Sequence, residues 1–137
     1  MDNLGANLAS SAFFSILVNG TPSQPFKASQ GLRQGDPLSP FIFILMMEGL
    51  GRLISSKKAN GTLRGLGLHQ DAPVQTHQQF VDDTMLMGYS SMKEARCFKS
   101  SLNTFLESSS LEINETKSQV FFFNTTVATH RNILRIF

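Results

Sequence analysis

The chain has 137 residues, 41% of them hydrophobic, with twelve Phe and no Trp; that fits one packed domain or part of one and excludes a disordered tail. Charged residues make up 16% and the formal charge is +2, a mildly basic balance that identifies no polyanion binder by itself. The single cysteine, Cys97, excludes an internal disulfide and a cysteine-based zinc cluster, and the longest apolar run, Phe41 to Met47, is far too short to span a bilayer.

In chain order, "MDNLGANLASS" carries an acid at position 2 and no basic region, so no targeting peptide is expected. "FFSILV" is short, apolar, and β-branched or aromatic, which predicts a buried strand. "NGTP" signals a hairpin turn after it, and "QPFKAS" can return as a second strand. "SQGLRQGDPLSP" places two Gly and two Pro in twelve residues and reads as a loop, with Ser39 and Pro40 as N-cap and first-turn residues of a helix. That helix, "FIFILMMEGLGRLI", is apolar on nearly every side of its first two turns, a pattern of all-round burial. Glu48 and Arg52 stand i, i+4 in the favourable order and read as a helix-side ion pair.

Residues 57–72 are polar and Gly-rich, a loop or weak hairpin. "PVQTHQQFVDDTMLMGY" then reads as strand, turn and strand with Asp82 and Asp83 at the tip. Ser91 and Glu94 form a capping box, and Ala95, Phe98, Leu102, Phe105 and Leu106 make one apolar helical stripe. "SSSLEINETK" ends that helix, and "SQVFFFN" reads as a last strong strand. Strands mixed with two long helices predict an α+β fold, a small antiparallel sheet packed on the helices, formed as one continuous unit over 1–137.

Asp82 and Asp83 admit two readings. Asp makes turns because its side chain bonds nearby backbone. Adjacent carboxylates also repel, and a divalent cation relieves that repulsion.

Three features in order carry a family resemblance: a Gln-Gly loop opening an apolar helix, a double-Asp hairpin, and a helix followed by a lysine. Together they resemble the palm of reverse transcriptases, specifically those of non-LTR (LINE-type) retrotransposons. "GLRQGDPLSPFIFILMMEGLGRLI" is similar to motif B of that family and "FVDDT" to its FADDT box, motif C, with Val81 in place of the usual Ala. "SLEINETKS" resembles the end of motif D, and "FSILVNGTP" the segment before motif B.

The resemblance implies an RNA-directed DNA polymerase that binds RNA template, DNA primer and dNTP. Its chemistry is two-metal nucleotidyl transfer, in which carboxylates hold two Mg²⁺ ions roughly 3.5–4 Å apart. By resemblance Asp82 is the principal ligand and Asp83 the supporting one. Gln34 and Gly35 would lie against the incoming nucleotide and template, Arg33 would contact a phosphate, and Lys117 would protonate the leaving pyrophosphate. The plainer readings stand beside these: Arg33 as an exposed loop arginine, Lys117 as a solvated residue before a strand.

Such a site needs another carboxylate from motif A, an Asp after an aromatic residue. The only acid before Asp36 is Asp2, and "MDNLGA" has neither the aromatic nor a strand pattern. The expectation is therefore a partial palm lacking motif A, fingers and thumb, inactive alone, binding Mg²⁺ weakly and open to self-association through exposed sheet edges. The alternative is a non-catalytic relic that binds RNA or a protein partner. Period-2 alternation puts Gln78, Phe80 and Asp82 on one strand face, and the family usually carries Leu where Gln78 stands; burying its amide unpaired would cost ~1–3 kcal/mol.

Overall fold

The computed structural model describes residues 13–27, 35–67, 69 and 72–137. The chain forms two compact units, divided in sequence between Phe43 and Ile44. Helices and small antiparallel ladders together make it α+β, as the mixed sequence pattern predicts.

The first unit holds a hairpin built from two short ladders. β1 (Phe13–Phe14) pairs with β4 (Phe26–Lys27), and β2 (Leu17–Val18) pairs with β3 (Thr21–Pro22). Asn19 and Gly20 close the hairpin at φ +51° and +82°, the two left-handed residues of a tight turn that Asn-Gly favours. Where the ladder breaks, Ser23 serves both backbone groups of Ile16: its N–H donates to the carbonyl at 2.8 Å and its Oγ accepts from the N–H at 3.0 Å. The expected strands exist, but the expectation of burial is corrected: Phe13, Ile16, Leu17 and Val18 are exposed. A two-stranded ribbon hides an apolar face only when a second layer covers it.

Helix α1 (Ser39–Ala59) opens differently from the sequence reading. Ser39 is itself its first residue, and Asp36 makes the turn that starts it: Oδ1 accepts from Leu38 N–H at 2.8 Å and the carbonyl from Ser39 N–H at 3.2 Å. Lys57 and Lys58 occupy the last turn, where the helix dipole favours cations. The helix buries one stripe, Met47, Leu50, Gly51 and Ile54, at i, i+3, i+4, i+7 spacing. All-round burial is corrected too: Phe41, Ile44 and Leu45 are 66%, 63% and 72% exposed, since among the described residues no second layer covers them. The Glu48–Arg52 pair forms at 3.2 Å on the solvent side.

The second unit's core gathers Leu50, Ile54, Leu63 and Phe98, with Leu86, Cys97, Leu102 and Phe105 packed against it. Leu63 comes from the Gly-rich stretch, which is tied down by an antiparallel bridge between Leu66 and Gln75, with bonds of 2.7 and 2.8 Å. Strands β5 (His77–Phe80) and β6 (Asp83–Leu86) form the predicted hairpin. Helix α2 (Met92–Ser109) starts at Ser91, whose Oγ accepts from Glu94 N–H at 3.2 Å. It ends at Ser110 in the left-handed region, whose N–H donates to Leu106 O at 2.9 Å.

The strand expected over "SQVFFFN" does not form. A strand requires a neighbour to take its N–H and C=O groups, and among the described residues none pairs with this segment. It leads instead into an unpredicted helix, α3 (Val127–Leu134), capped by Thr126 Oγ1 accepting from Thr129 N–H at 3.3 Å and packed against α2. No helix among the described residues is long and apolar enough to cross a membrane.

Candidate functional site

The β5–β6 hairpin is the centre of the candidate site. Its register pairs His77 with Leu86, Gln78 with Met85, Gln79 with Thr84 and Phe80 with Asp83, leaving Val81 and Asp82 as a two-residue turn. Asp82 therefore lies on the turn, and Asp83 opens β6. Both carboxylates are exposed, and neither is hydrogen-bonded or ion-paired among the described residues. Val81 adopts φ +54°, a left-handed conformation unfavourable for a β-branched residue and a local store of backbone strain.

The two faces of the hairpin are the reverse of the sequence expectation. His77, Gln79, Thr84 and Leu86 turn inward; Gln78, Phe80, Asp83 and Met85 turn outward, with Phe80 77% exposed. The buried-amide penalty assigned to Gln78 is therefore absent, and Asp82 shares no strand face with it. Of the inward polar residues, Gln79 bonds to α1 and His77 Nδ1 pairs with Thr76 Oγ1 at 3.1 Å. Gln79 Nε2 donates to the Met47 carbonyl at 3.2 Å, and a Cβ added at Gly51 would lie 3.2 Å from both Gln79 Oε1 and His77 Nε2. Gly51 thus lets the hairpin approach the helix axis.

The base of the hairpin is held by a second group of residues. Met87 N–H donates to Thr76 O at 2.8 Å, extending the ladder. Glu94 is only 2% exposed; its Oε2 accepts from Tyr89 N–H at 3.0 Å and its Oε1 from Arg64 Nε at 3.2 Å. The Arg64 guanidinium also lies 4.4 Å from the Tyr89 ring centroid. The Ser91–Glu94 motif predicts half of this. The cap forms, but the carboxylate reaches past Ser91 to Tyr89 and Arg64. Gln79, Gly51, Glu94 and Arg64 were not legible as site residues, because each acts through a partner distant in sequence.

The other expected site residues fall elsewhere. Arg33 and Gln34 lie outside the described residues. Gly35, in the first unit, has φ +86° and open space where a Cβ would stand, so backbone conformation rather than close approach requires glycine there. Lys117 is exposed in the turn after α2, its N–H held by the Asn114 carbonyl at 3.1 Å. No ion pair joins it to Asp82 or Asp83. Among the described residues no three His, Cys, Asp or Glu side chains converge as metal ligands, so Asp82 and Asp83 do not complete a divalent-metal set.

The sequence profile of the reverse transcriptase (RNA-dependent DNA polymerase) family matches residues 4–133. The chain is also 42% identical over 69 residues to an uncharacterized mitochondrial protein of Arabidopsis thaliana, a stretch that covers 50% of this chain and 57% of that protein. The match thus spans little more than half the length of that relative. No solved structure matches the chain.

Proposed function

The chain belongs to the reverse transcriptase family, and from that premise we propose that it is the palm part of a non-LTR, LINE-type polymerase, to whose metal set Asp82 and Asp83 contribute. One observation carries this reading. The hairpin leaves two adjacent carboxylates exposed and unpaired, Asp82 on its two-residue turn and Asp83 at the start of β6, while its other face is fastened to α1 through Gln79 and Gly51. Reverse transcriptases in general use divalent metal ions, and a pair of Mg²⁺ would neutralise charge on the attacking 3′-oxygen and the departing pyrophosphate. The described residues lack the remaining carboxylate, so no step of transfer is assigned to this chain by itself. Under the same reading Arg33, Gln34 and Gly35 face template and incoming nucleotide, and Lys117 gives a proton to pyrophosphate.

Primer extension tests the proposal. The 137-residue chain is expected not to extend a primed RNA template. A hybrid with a related element's fingers and motif A ahead of Met1, and its thumb after Phe137, is expected to synthesise DNA in Mg²⁺. Asp82→Asn should abolish that synthesis, because a site shared by two ions loses part of its countercharge. Lys117→Ala should slow it by no more than the ~10²–10⁴-fold typical of general-acid help. A folded hybrid that is inert, or active and indifferent to Asp82, refutes the reading.

The isolated chain is further proposed to self-associate. Phe121 and Phe123 are 73% and 83% exposed on a segment in no ladder, and Phe80 and Met85 cover the outer hairpin face. Sedimentation velocity should show concentration-dependent species that Phe121→Ser/Phe123→Ser reduces. A monomer at all concentrations speaks against it.

A further inference from the structure

Helix α2 carries its charges against its own dipole. Lys93, Arg96 and Lys99 stand in its N-terminal half and Glu107 in its last turn, whereas a helix favours acids at its start and cations at its end. The one acid near the start, Glu94, is turned inward and engaged by Arg64 and Tyr89 N–H. None of the three cations has an acidic partner among the described residues. At 3.6 residues per turn they fall within a sector of about 120° and span about 9 Å of helix axis.

The packed helix α3 extends the same sign of charge. No acid occurs between Lys117 and Phe137, while Arg131 and Arg135 are exposed. Lys99 Nζ lies 5.9 Å from the Phe137 ring centroid, which brings the chain just after α3 beside the middle of α2. On α3 the cations sit near the C-terminal end, where the dipole favours them, and need no other explanation. Those of α2 lack such a local rationale. The N-terminal half of that α2 face presents one sign of charge, Glu107 standing on the same face about two turns beyond Lys99. A cationic stretch with an aromatic ring at its edge is complementary to a nucleic-acid strand, its phosphates meeting the cations and a base stacking on the ring.

We propose that Lys93 and Arg96, exposed on α2, and the half-buried Lys99 beside them, with Arg131 of α3 and Arg135 at its C-cap, form a site for the phosphate backbone of single-stranded nucleic acid, distinct in residues from the Asp82–Asp83 hairpin. The choice of nucleic acid over another polyanion rests on the family reading above; the surface itself does not.

The test is fluorescence anisotropy of labelled single-stranded RNA titrated with the full 137-residue chain across a range of salt. Lys93→Gln/Arg96→Gln/Lys99→Gln is expected to lower the slope of log K against log salt by about 2, at ~0.7 per neutralised phosphate, with affinity falling at least about tenfold. Removing the same charge elsewhere, with Lys27→Gln/Arg52→Gln/Lys57→Gln, should leave most of the slope intact. Single-stranded DNA of the same sequence separates a shared backbone site from one selective for RNA; binding to either supports the proposal.

Because the triple α2 variant removes cations opposed to the dipole, its thermal midpoint should stay level or rise while binding falls. That divergence distinguishes lost contact from lost fold. Arg96→Glu alone should weaken binding more than Arg96→Gln. Equal slopes for the two triple variants, a slope unchanged by the α2 triple, or binding to anionic lipid vesicles without binding to RNA each overturn the proposal. Failure of the family reading shows elsewhere, as a hybrid polymerase indifferent to Asp82.

Discussion

Replacing Glu94 tests what fixes the base of the hairpin. The carboxylate is 2% exposed and takes two bonds, from Tyr89 N–H at 3.0 Å and Arg64 Nε at 3.2 Å. Glu94→Ala leaves the Tyr89 N–H without its acceptor; because Tyr89 is itself exposed, this counts as one charge-assisted hydrogen bond lost, about 1 kcal/mol. The Arg64 side chain is 65% exposed, so its bond counts as a surface pair of at most about 1 kcal/mol. The truncation also leaves space beside Phe98 and Gly88, and the sum is about 3 kcal/mol. Glu94→Gln keeps the volume and one acceptor, and its cost is about 1 kcal/mol. Urea denaturation gives the stabilities, and amide exchange at Leu86, Met87 and Tyr89 reports whether the loss begins at the hairpin base. Arg64→Ala should cost much less than Glu94→Ala. If the two cost the same, or if Glu94→Ala falls within about 0.5 kcal/mol of the parent, the carboxylate is not what anchors Tyr89.

Two glycines should respond in opposite directions. Gly49 lies inside α1 with nothing within 4 Å of an added Cβ, so Gly49→Ala should stabilise by about 0.5–1 kcal/mol. A Cβ at Gly88 would stand 2.6 Å from Glu94 Oε2 and 2.8 Å from Phe98, both buried, so Gly88→Ala should cost about 1–3 kcal/mol. Urea midpoints moving the same way would refute this packing argument. Val81→Gly removes a strained β-branched residue at φ +54° from an exposed turn, and relief of about 1–2 kcal/mol should slightly exceed the entropy cost of glycine. A lower thermal midpoint would show that Val81 makes contacts outweighing its strain.

How much of this was legible depends on how local the determinant is. The β5–β6 hairpin and helix α2 could be read because turn, caps and stripe all lie within a few residues of one another; Ser91 and Phe98 stand where the pattern puts them, and the turn falls one residue earlier than expected, on Val81 and Asp82. The strand over "SQVFFFN" could not, since β-propensity states only that a segment suits a sheet, and the partner lies elsewhere in the chain. Helix α1 was legible as a helix but not in its burial. Its apolar residues outnumber the neighbours available, leaving Ile44 and Leu45 exposed. Alternation divided β5 into two faces without saying which is inward. Phe80 drew the reading the wrong way, because the inner side is occupied by His77 and Gln79 against a helix glycine.

That inversion has a consequence for the carboxylates. Slipping the β5–β6 register by one residue would exchange the two faces and move the turn away from Val81 and Asp82. Apolar burial alone does not resist the slip, since Phe80 and Met85 already face outward and Leu86 alone of this hairpin joins the core. Directional contacts resist it. Gln79 reaches Met47 O only when it points inward, Gly51 admits a side chain at one place on α1, and the Tyr89–Glu94 bond fixes where β6 ends. The position of Asp82 on the exposed turn and of Asp83 beside it is thus set by polar residues on the opposite side of the ribbon. The aspartates can be replaced without disturbing the hairpin, whereas Gln79 cannot be replaced without loosening the placement of both.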